Sequence, residues 1–285
     1  MTIIADSGST KTDWCLCEEG RVVATIQTQG INPFHQTEET IRRIVRDELC
    51  SPVFSDALIG GEKNIGFFYG SGCTEVKAPW LRLLLNDELA AYGVTFYVYN
   101  DLLGAARALF GRTEGIACIL GTGANSCLYG GNGIVANTPP LGYILGDEGS
   151  GAVLGRSFLN GIFKGWLSPD LRNDFLAWAG LDYAGVIERV YRQPMANRFL
   201  ASIVPFIGKY VNEKLELEMM VVENFRSFFR LNISAYMRKD LSVSFIGGVA
   251  NAFESQLRKA ADIEQYRIGT IEKSPIEGLI NYHFK

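Results

Sequence analysis

The chain has 285 residues, 47% of them apolar and 20% charged, with a net charge of −4 at pH 7. Those proportions exclude a disordered chain, and the slightly acidic balance leaves no bulk electrostatic footprint for nucleic acid or an anionic membrane. Any affinity for phosphate must therefore come from local backbone geometry and a bound cation. At this length a single core stops growing, so two domains are expected.

Short strands are predicted near 2–5, 13–17 and 21–28, with turns at Asp6–Thr12 and Glu18–Gly20. A helix follows, with Thr37 as N-cap, Glu38 and Glu39 in the first turn, and Ile41, Ile44, Val45 and Leu49 on one face. Strand 65–69, helix 75–90, strand 94–99 and helix 102–110 complete a βββαβαβα order. The pattern then begins again, with strands near 115–120, 125–129 and 134–136. A long helical region over 148–239, amphipathic from Leu215 to Met237, precedes strand 242–247, helix 248–261 and a short strand at 266–268. The segment 274–283 reads as a short terminal helix that packs back on the first domain. This internal duplication decides the fold class. It is α/β, with related domains at 1–113 and 114–273, a helical insertion in the second, and residues 274–285 joined to the first.

The cysteines Cys15, Cys17, Cys50, Cys73, Cys118 and Cys127 form no C-x-x-C pair, and His35 and His283 are far apart in sequence. Buried reduced thiols are expected rather than a zinc site or a disulfide framework. No run reaches the roughly 18 apolar residues of a membrane span, and the opening Met1-Thr2-Ile3-Ile4-Ala5-Asp6 has no basic n-region. A cytoplasmic protein that contacts neither membrane nor nucleic acid is the expectation.

Two stretches look like copies of one device. Asp6-Ser7-Gly8-Ser9-Thr10-Lys11-Thr12-Asp13 joins two apolar strands, as does Gly121-Thr122-Gly123-Ala124-Asn125-Ser126. The first is not a P-loop, which needs four residues between its first Gly and the Gly-Lys pair and opens a helix. The second fails as a dinucleotide fingerprint, because Ser126 stands at the third glycine and a strand follows. A hairpin tip of Gly, hydroxyls and lysine is a different phosphate cradle. Its backbone amides and hydroxyls hold phosphate oxygens, and Asp6 can hold Mg²⁺ through water.

Four other stretches bear chemistry. Asn100-Asp101 ends a strand, where α/β folds bind ligands; Asp101 reads either as a helix N-cap or as a general base in phosphoryl transfer. Gly142–Gly151 packs four glycines with Asp147 and Glu148 into ten residues. It is either a surface turn or a turn presenting two carboxylates to a polyhydroxy substrate or metal. Gly30-Ile31-Asn32-Pro33-Phe34 is a lone Asn-Pro turn. Ser244–Asn251 breaks from a strand into Gly247-Gly248 before a helix; that bare backbone can lie flat against an adenine ring, or serve only close strand–helix packing.

With these stretches in order, the chain resembles the sugar-kinase/actin/heat-shock-ATPase superfamily. More narrowly, it resembles the BadF/BadG/BcrA/BcrD-type ATPase family, which includes N-acetylglucosamine kinases. Asp6–Thr12 is similar to that family's first phosphate motif, Gly121-Thr122-Gly123 to its second, and Gly247-Gly248-Val249-Ala250 to its adenosine motif. Gly146-Asp147-Glu148-Gly149-Ser150 is the most family-specific run, and Ser274–Leu279 resembles its usual ending.

The resemblance implies an ATP- and Mg²⁺-dependent kinase of two ribonuclease-H-like (actin-like ATPase) domains that close over an inter-domain cleft. It implies Asp101 as the base that activates a sugar 6-hydroxyl. Asn32, Ser71, Asp101, Asp147 and Glu148 would bind the sugar. Ser7, Gly8, Ser9, Thr10, Lys11, Thr12, Gly121, Thr122, Gly123, Gly247, Gly248 and Asn251 would bind ATP. A homodimer is a family expectation. N-acetyl-D-glucosamine is the first acceptor. The chain carries Asn137–Leu145 where such kinases have a Cys- and Trp-containing glycine run, so glucosamine and N-acetylmuramic acid stay open beside it. The same family includes an ATPase activator of a radical dehydratase, which needs an iron–sulfur cluster bridging a dimer. A nucleotide-gated sensor, with closure itself as output, is the non-catalytic alternative.

Overall fold

The computed structural model describes residues 1–58 and 63–285. They divide into two compact units. One comprises Met1–Thr113, Gly130–Gly133 and Pro275–Lys285; the other comprises Glu114–Tyr129 and Ile134–Ser274.

The first unit is built on a five-stranded sheet of β1 (Thr2–Ser7), β2 (Lys11–Glu18), β3 (Arg21–Gln29), β4 (Asn64–Gly70) and β5 (Val94–Asn100), in the order β3-β2-β1-β4-β5. The hairpin strands pair antiparallel, while β1, β4 and β5 run parallel. Its helices are α1 (Glu38–Arg43), α2 (Pro52–Leu58), α3 (Lys77–Glu88) and α4 (Asp101–Phe110).

Alternation along β1 feeds two cores, because successive side chains point to opposite faces. Ile3 and Ala5 pack with Trp14, Phe68, Leu81 and Phe96. Ile4, on the other face, packs with Tyr69 and with Leu279 of the terminal helix, Ile276–Phe284. Trp14 anchors the first core, its ring centroid 5.7 Å from that of Phe68 and 6.3 Å from that of Phe96. Full burial of each such ring is worth about 2–3 kcal/mol.

The second unit repeats the three-strand start with β6 (Glu114–Leu120), β7 (Ala124–Gly130) and β8 (Ile134–Asn137). Then come α5 (Gly142–Leu145), α6 (Gly151–Lys164), α7 (Pro169–Ala179), α8 (Tyr183–Tyr191), α9 (Ala196–Ala201), α10 (Val204–Tyr210) and α11 (Leu215–Phe228). The strand β9 (Val243–Ile246) leads through α12 (Gly248–Ala252) and α13 (Glu254–Ile263) to β10 (Ile268–Glu272); the last helix of the chain is α14, Ile276–Phe284. The sheet order is β10-β9-β6-β7-β8, with β6, β9 and β10 parallel. In the inserted helices Phe158, Phe175 and Phe206 meet at centroid distances of 5.2–5.5 Å.

Several elements differ from expectation. The hairpin strands β1 and β2 extend to Ser7 and from Lys11, which shortens the tip to Gly8–Thr10. Thr37 caps α1, its Oγ1 accepting the Thr40 amide at 3.3 Å, but Ile44–Leu49 continues as a π-helical turn. Seven-residue α2 is too short to show a helical period. The last strand begins at Ile268, because the Tyr266 amide donates to Ala261 O at the end of α13 and its ring stacks on Phe229. The second unit thus ends on a strand, and the closing helix α14 belongs to the first unit.

Candidate active site

In the first unit, Ser7, Gly70 and Asn100 lie side by side, because β1, β4 and β5 end in register. That row is the carboxyl edge of the parallel strands, where open α/β sheets bind ligands. Asn100, not Asp101, is the N-cap of α4: its Oδ1 accepts the Leu103 amide at 2.7 Å from an extended backbone. This corrects the capping reading of Asp101, which is the first helical residue and accepts its own backbone amide and, at 2.9 Å, the adjacent Leu102 amide. Burial raises the Asp101 carboxyl to a pKa of about 6, against the pull of those bonds. Burial raises Asp6 to about 7; the charges of Asp101 and Asp13 add to the shift and Lys11 opposes it.

The structure brings Asn32 and Ser71 together beside this row. Asn32 Nδ2 donates to Ser71 Oγ at 3.3 Å, and the Ser71 amide donates to Ser7 O at 3.0 Å. Gln36, which the sequence does not mark, holds the turn. It accepts the Asn32 amide at 2.8 Å and donates to Gly30 O at 2.8 Å. Its signal is faint, a lone polar residue just ahead of a helix cap.

The first hairpin divides its polar residues by face. Ser7 and Thr12 are fully buried, bonded to each other at 2.7 Å, and both hydroxyls accept the Ile31 amide. This corrects the reading of their hydroxyls as phosphate ligands: β1 and β2 reach further than expected and turn both side chains inward. The exposed or half-buried tip is Gly8, Ser9, Thr10 and Lys11. Gly30 packs beneath it, so close that a Cβ would stand 2.5 Å from Gly8 O. Lys11 Nζ is paired with Asp13 at 2.8 Å, and Gln27 donates to the same carboxylate at 2.7 Å.

The half-buried Asp6 and Asp101 are mutually repelling carboxylates, and a cation beside them would offset that repulsion. Among the described residues no three His, Cys, Asp or Glu side chains group as metal ligands. Such a donor set suits Mg²⁺, which keeps several waters and takes one or two carboxylates plus substrate phosphate.

In the second unit the tip Gly121–Gly123 is closed by a bond from the Gly121 amide to Gly123 O at 2.9 Å. The start of α6 abuts it: the Gly151 and Ala152 amides donate to Gly121 O and Thr122 O at 2.8 and 3.1 Å. Asp147 reaches the same turn and accepts the Ala124 amide. Burial first, and then the Glu148 charge, hold its pKa up at about 6. Asp147 adopts a left-handed φ of 56°, a conformation costly for a residue with a Cβ.

The paired ends of β6 and β9 bring Gly247 beside Leu120. Gly247 has φ 129°, and a Cβ there would stand 2.3 Å from Leu120 O, so this position requires glycine. Gly248 and Asn251 are exposed next to it. Glu148 is half-buried, its Oε2 accepting from Asn232 at 3.2 Å. The divergent segment after β8 is tied down by Asn137 Nδ2 on Ser126 O at 2.6 Å and by the Thr138 amide on the Tyr236 hydroxyl at 3.0 Å. It leaves Leu141, Ile144 and Leu145 exposed.

No family model matches the chain. Its fold superposes with a TM-score of 0.95 on the crystal structure of a candidate N-acetylglucosamine kinase from Porphyromonas gingivalis, at 45% identity over 100% of this chain and 99% of that one. The chain belongs to the BadF/BadG-type ATPase family, in its N-acetylglucosamine kinase-like branch. A second such kinase candidate, from Chromobacterium violaceum, superposes with a TM-score of 0.76 over 99% of this chain and 98% of that one; at 19% identity it shows the fold alone. An N-acetylmuramic acid/N-acetylglucosamine kinase of Clostridium acetobutylicum is 28% identical over 197 residues, covering 64% of this chain and 62% of that protein's length. The two units are thus those of the actin-like ATPase fold common to this BadF/BadG-type family. Among the described residues no helix is long and apolar enough to cross a membrane.

Proposed function

We propose that this chain is an amino-sugar kinase that transfers the γ-phosphate of ATP to the 6-hydroxyl of N-acetyl-D-glucosamine. The observation that carries the reading is the carboxyl edge of the first sheet. There, Asp101 is released from capping by Asn100 and has a pKa of about 6. A carboxylate with that pKa is ionised near neutral pH, yet basic enough to take a proton from an attacking hydroxyl.

Around it the proposal gives the other residues their roles. Asn32 and Ser71 offer an amide and a hydroxyl to sugar hydroxyls, and Asp147 and Glu148 serve the acceptor from the second unit. The tip Gly8–Lys11 and the turn Gly121–Gly123 supply backbone amides and one cation to the phosphates, and Gly247, Gly248 and Asn251 face the adenosine. Asp6, with Asp101 near, would hold Mg²⁺, which when bound neutralises charge on the transferring phosphoryl group. In this reading the two units close on their substrates, which excludes water and favours transfer to sugar over hydrolysis.

The C. acetobutylicum relative is named for two sugars, so N-acetylmuramic acid is the second acceptor to assay. The thiols do not favour the dehydratase-activator alternative. Five of the six are buried and the sixth partly so, an arrangement that offers no set of ligands to a cluster shared between subunits. Identification of the product tests the proposal: N-acetyl-D-glucosamine is expected to gain a phosphate on its 6-oxygen, and the 6-deoxy analogue to remain unmodified. Phosphorylation of the 6-deoxy analogue would overturn the position of transfer.

A further inference from the structure

The acidic turn Gly146–Ser150 rests on residues that none of the phosphate or acceptor motifs contains. Asn224 Oδ1 accepts the Gly149 amide at 3.1 Å. Eight residues on, Asn232 Nδ2 donates to Glu148 Oε2 at 3.2 Å, and the Asn232 carbonyl accepts Thr138 Oγ1 at 2.9 Å. Both asparagines are buried, 7% and 5% exposed. In a straight α-helix eight residues overshoot two turns by roughly 80°. The π-helical turn Phe229–Ile233, which takes more residues per turn, brings Asn232 back toward the face that carries Asn224. Among the described residues Asn224 Nδ2 is buried without a partner, a cost to packing that the bond to Gly149 offsets.

These contacts have a direction. Glu148 follows Asp147, whose carboxyl grips the Ala124 amide and whose backbone is left-handed. Held at Glu148 and Gly149, the turn cannot rotate without moving Asp147 off the Gly121–Ala124 turn. We propose that Asn232, presented by the π-helical turn, is a positioning residue that fixes the Glu148 carboxylate for the acceptor, with Asn224 anchoring the same turn through Gly149. This role rests on the kinase reading above, since it assigns the acidic turn to acceptor binding.

Asn232→Asp tests it, because that change keeps the shape and removes the donor. Two carboxyls in contact share one proton at low pH, and the protonated partner then supplies the missing bond; at higher pH both ionise and repel. The acceptor KM of the variant is expected near wild type at about pH 6 and roughly tenfold higher at about pH 8.5, the loss of one hydrogen bond to a charged group. In the wild type the titration of Asp6, Asp101 and Asp147 enters this window, so the rise is read as the ratio of variant to wild-type KM at each pH. The ATP KM should be nearly the same in both proteins. The swap Asn232→Asp with Glu148→Gln returns donor and acceptor to the pair, so its acceptor KM ratio should lose the pH dependence; it also serves if the single variant folds poorly.

An acceptor KM ratio that ignores pH in Asn232→Asp, or a parallel rise in both KM values with a lower melting temperature, overturns the positioning role and leaves the kinase reading standing. A wild type without sugar-stimulated ADP release overturns both.

Discussion

The two glycine-rich hairpins share a strand–turn–strand plan but are held in different ways. The first is self-contained. Its tip is fixed by Ser7, Thr12, Gly30 and Ile31, all within some two dozen residues of it, and its lysine is parked on Asp13. The second is held from far along the chain, by Asp147, by the start of α6 and by Gly247. The carboxylates divide in the same way. The first unit carries Asp6 and Asp101 at its strand ends, while β9 in the second ends in the bare backbone of Gly247 and Gly248. In the function proposed above, the contrast places the general base in the first unit and, beside the acceptor carboxylates Asp147 and Glu148, nucleotide support in the second.

The strongest break of that contrast is Asp101→Asn. Loss of a general base is expected to lower kcat by about 10²–10⁴-fold, with the KM for ATP nearly unchanged in steady-state assays. A variant that turns over normally would remove the base from the first unit. In the wild type, kcat/KM should rise with pH through about 6 as Asp101 loses its proton, and then level off.

Next in size are paired glycine changes in the second unit. Gly247→Ala combines φ 129° with a clash on Leu120 O, and is expected to cost about 2–4 kcal/mol in denaturant unfolding. Gly121→Ala meets nothing within 4 Å and should cost less than about 1 kcal/mol while weakening ATP binding. Equal destabilisation by the two would deny that support and contact are separate here.

In the first hairpin Lys11→Ala removes an exposed ion pair and should move the melting temperature by little. Its expected cost is a roughly tenfold rise in ATP KM, one charge-assisted contact.

The smallest effect concerns Asp6. Its pKa is raised in the folded state, so its contribution to stability is full below the ordinary carboxylate value and is lost as pH rises through about 7. Asp6→Asn cannot ionise. It should raise the melting temperature by a few degrees at about pH 8 and leave it unchanged at about pH 4.

Much of this was legible in the sequence because its signals are local. The βββαβαβα order, the glycine-rich tips and the Thr37 cap each sit within a few residues of what they determine. Ser7 and Thr12 show where that logic stops. Hydroxyls at a predicted tip look like phosphate ligands until the register of β1 and β2 places them inside, bonded to Ile31. Asp101 shows the reverse, since only the Asn100 bond to Leu103 reveals which of two adjacent polar residues is the cap. Asn224 and Asn232 were hidden in an amphipathic stretch, where they read as part of a polar face. Their visible trace was two asparagines close to the stripe of Phe225 and Phe228, and the π-helical turn that aligns them has no sequence period of its own.

The most direct test of the central claim is ADP release by the wild-type protein with ATP and Mg²⁺, with and without N-acetyl-D-glucosamine. The account predicts slow release alone, strong stimulation by the sugar, and one sugar phosphate formed per ADP. Release that no amino sugar stimulates would contradict it.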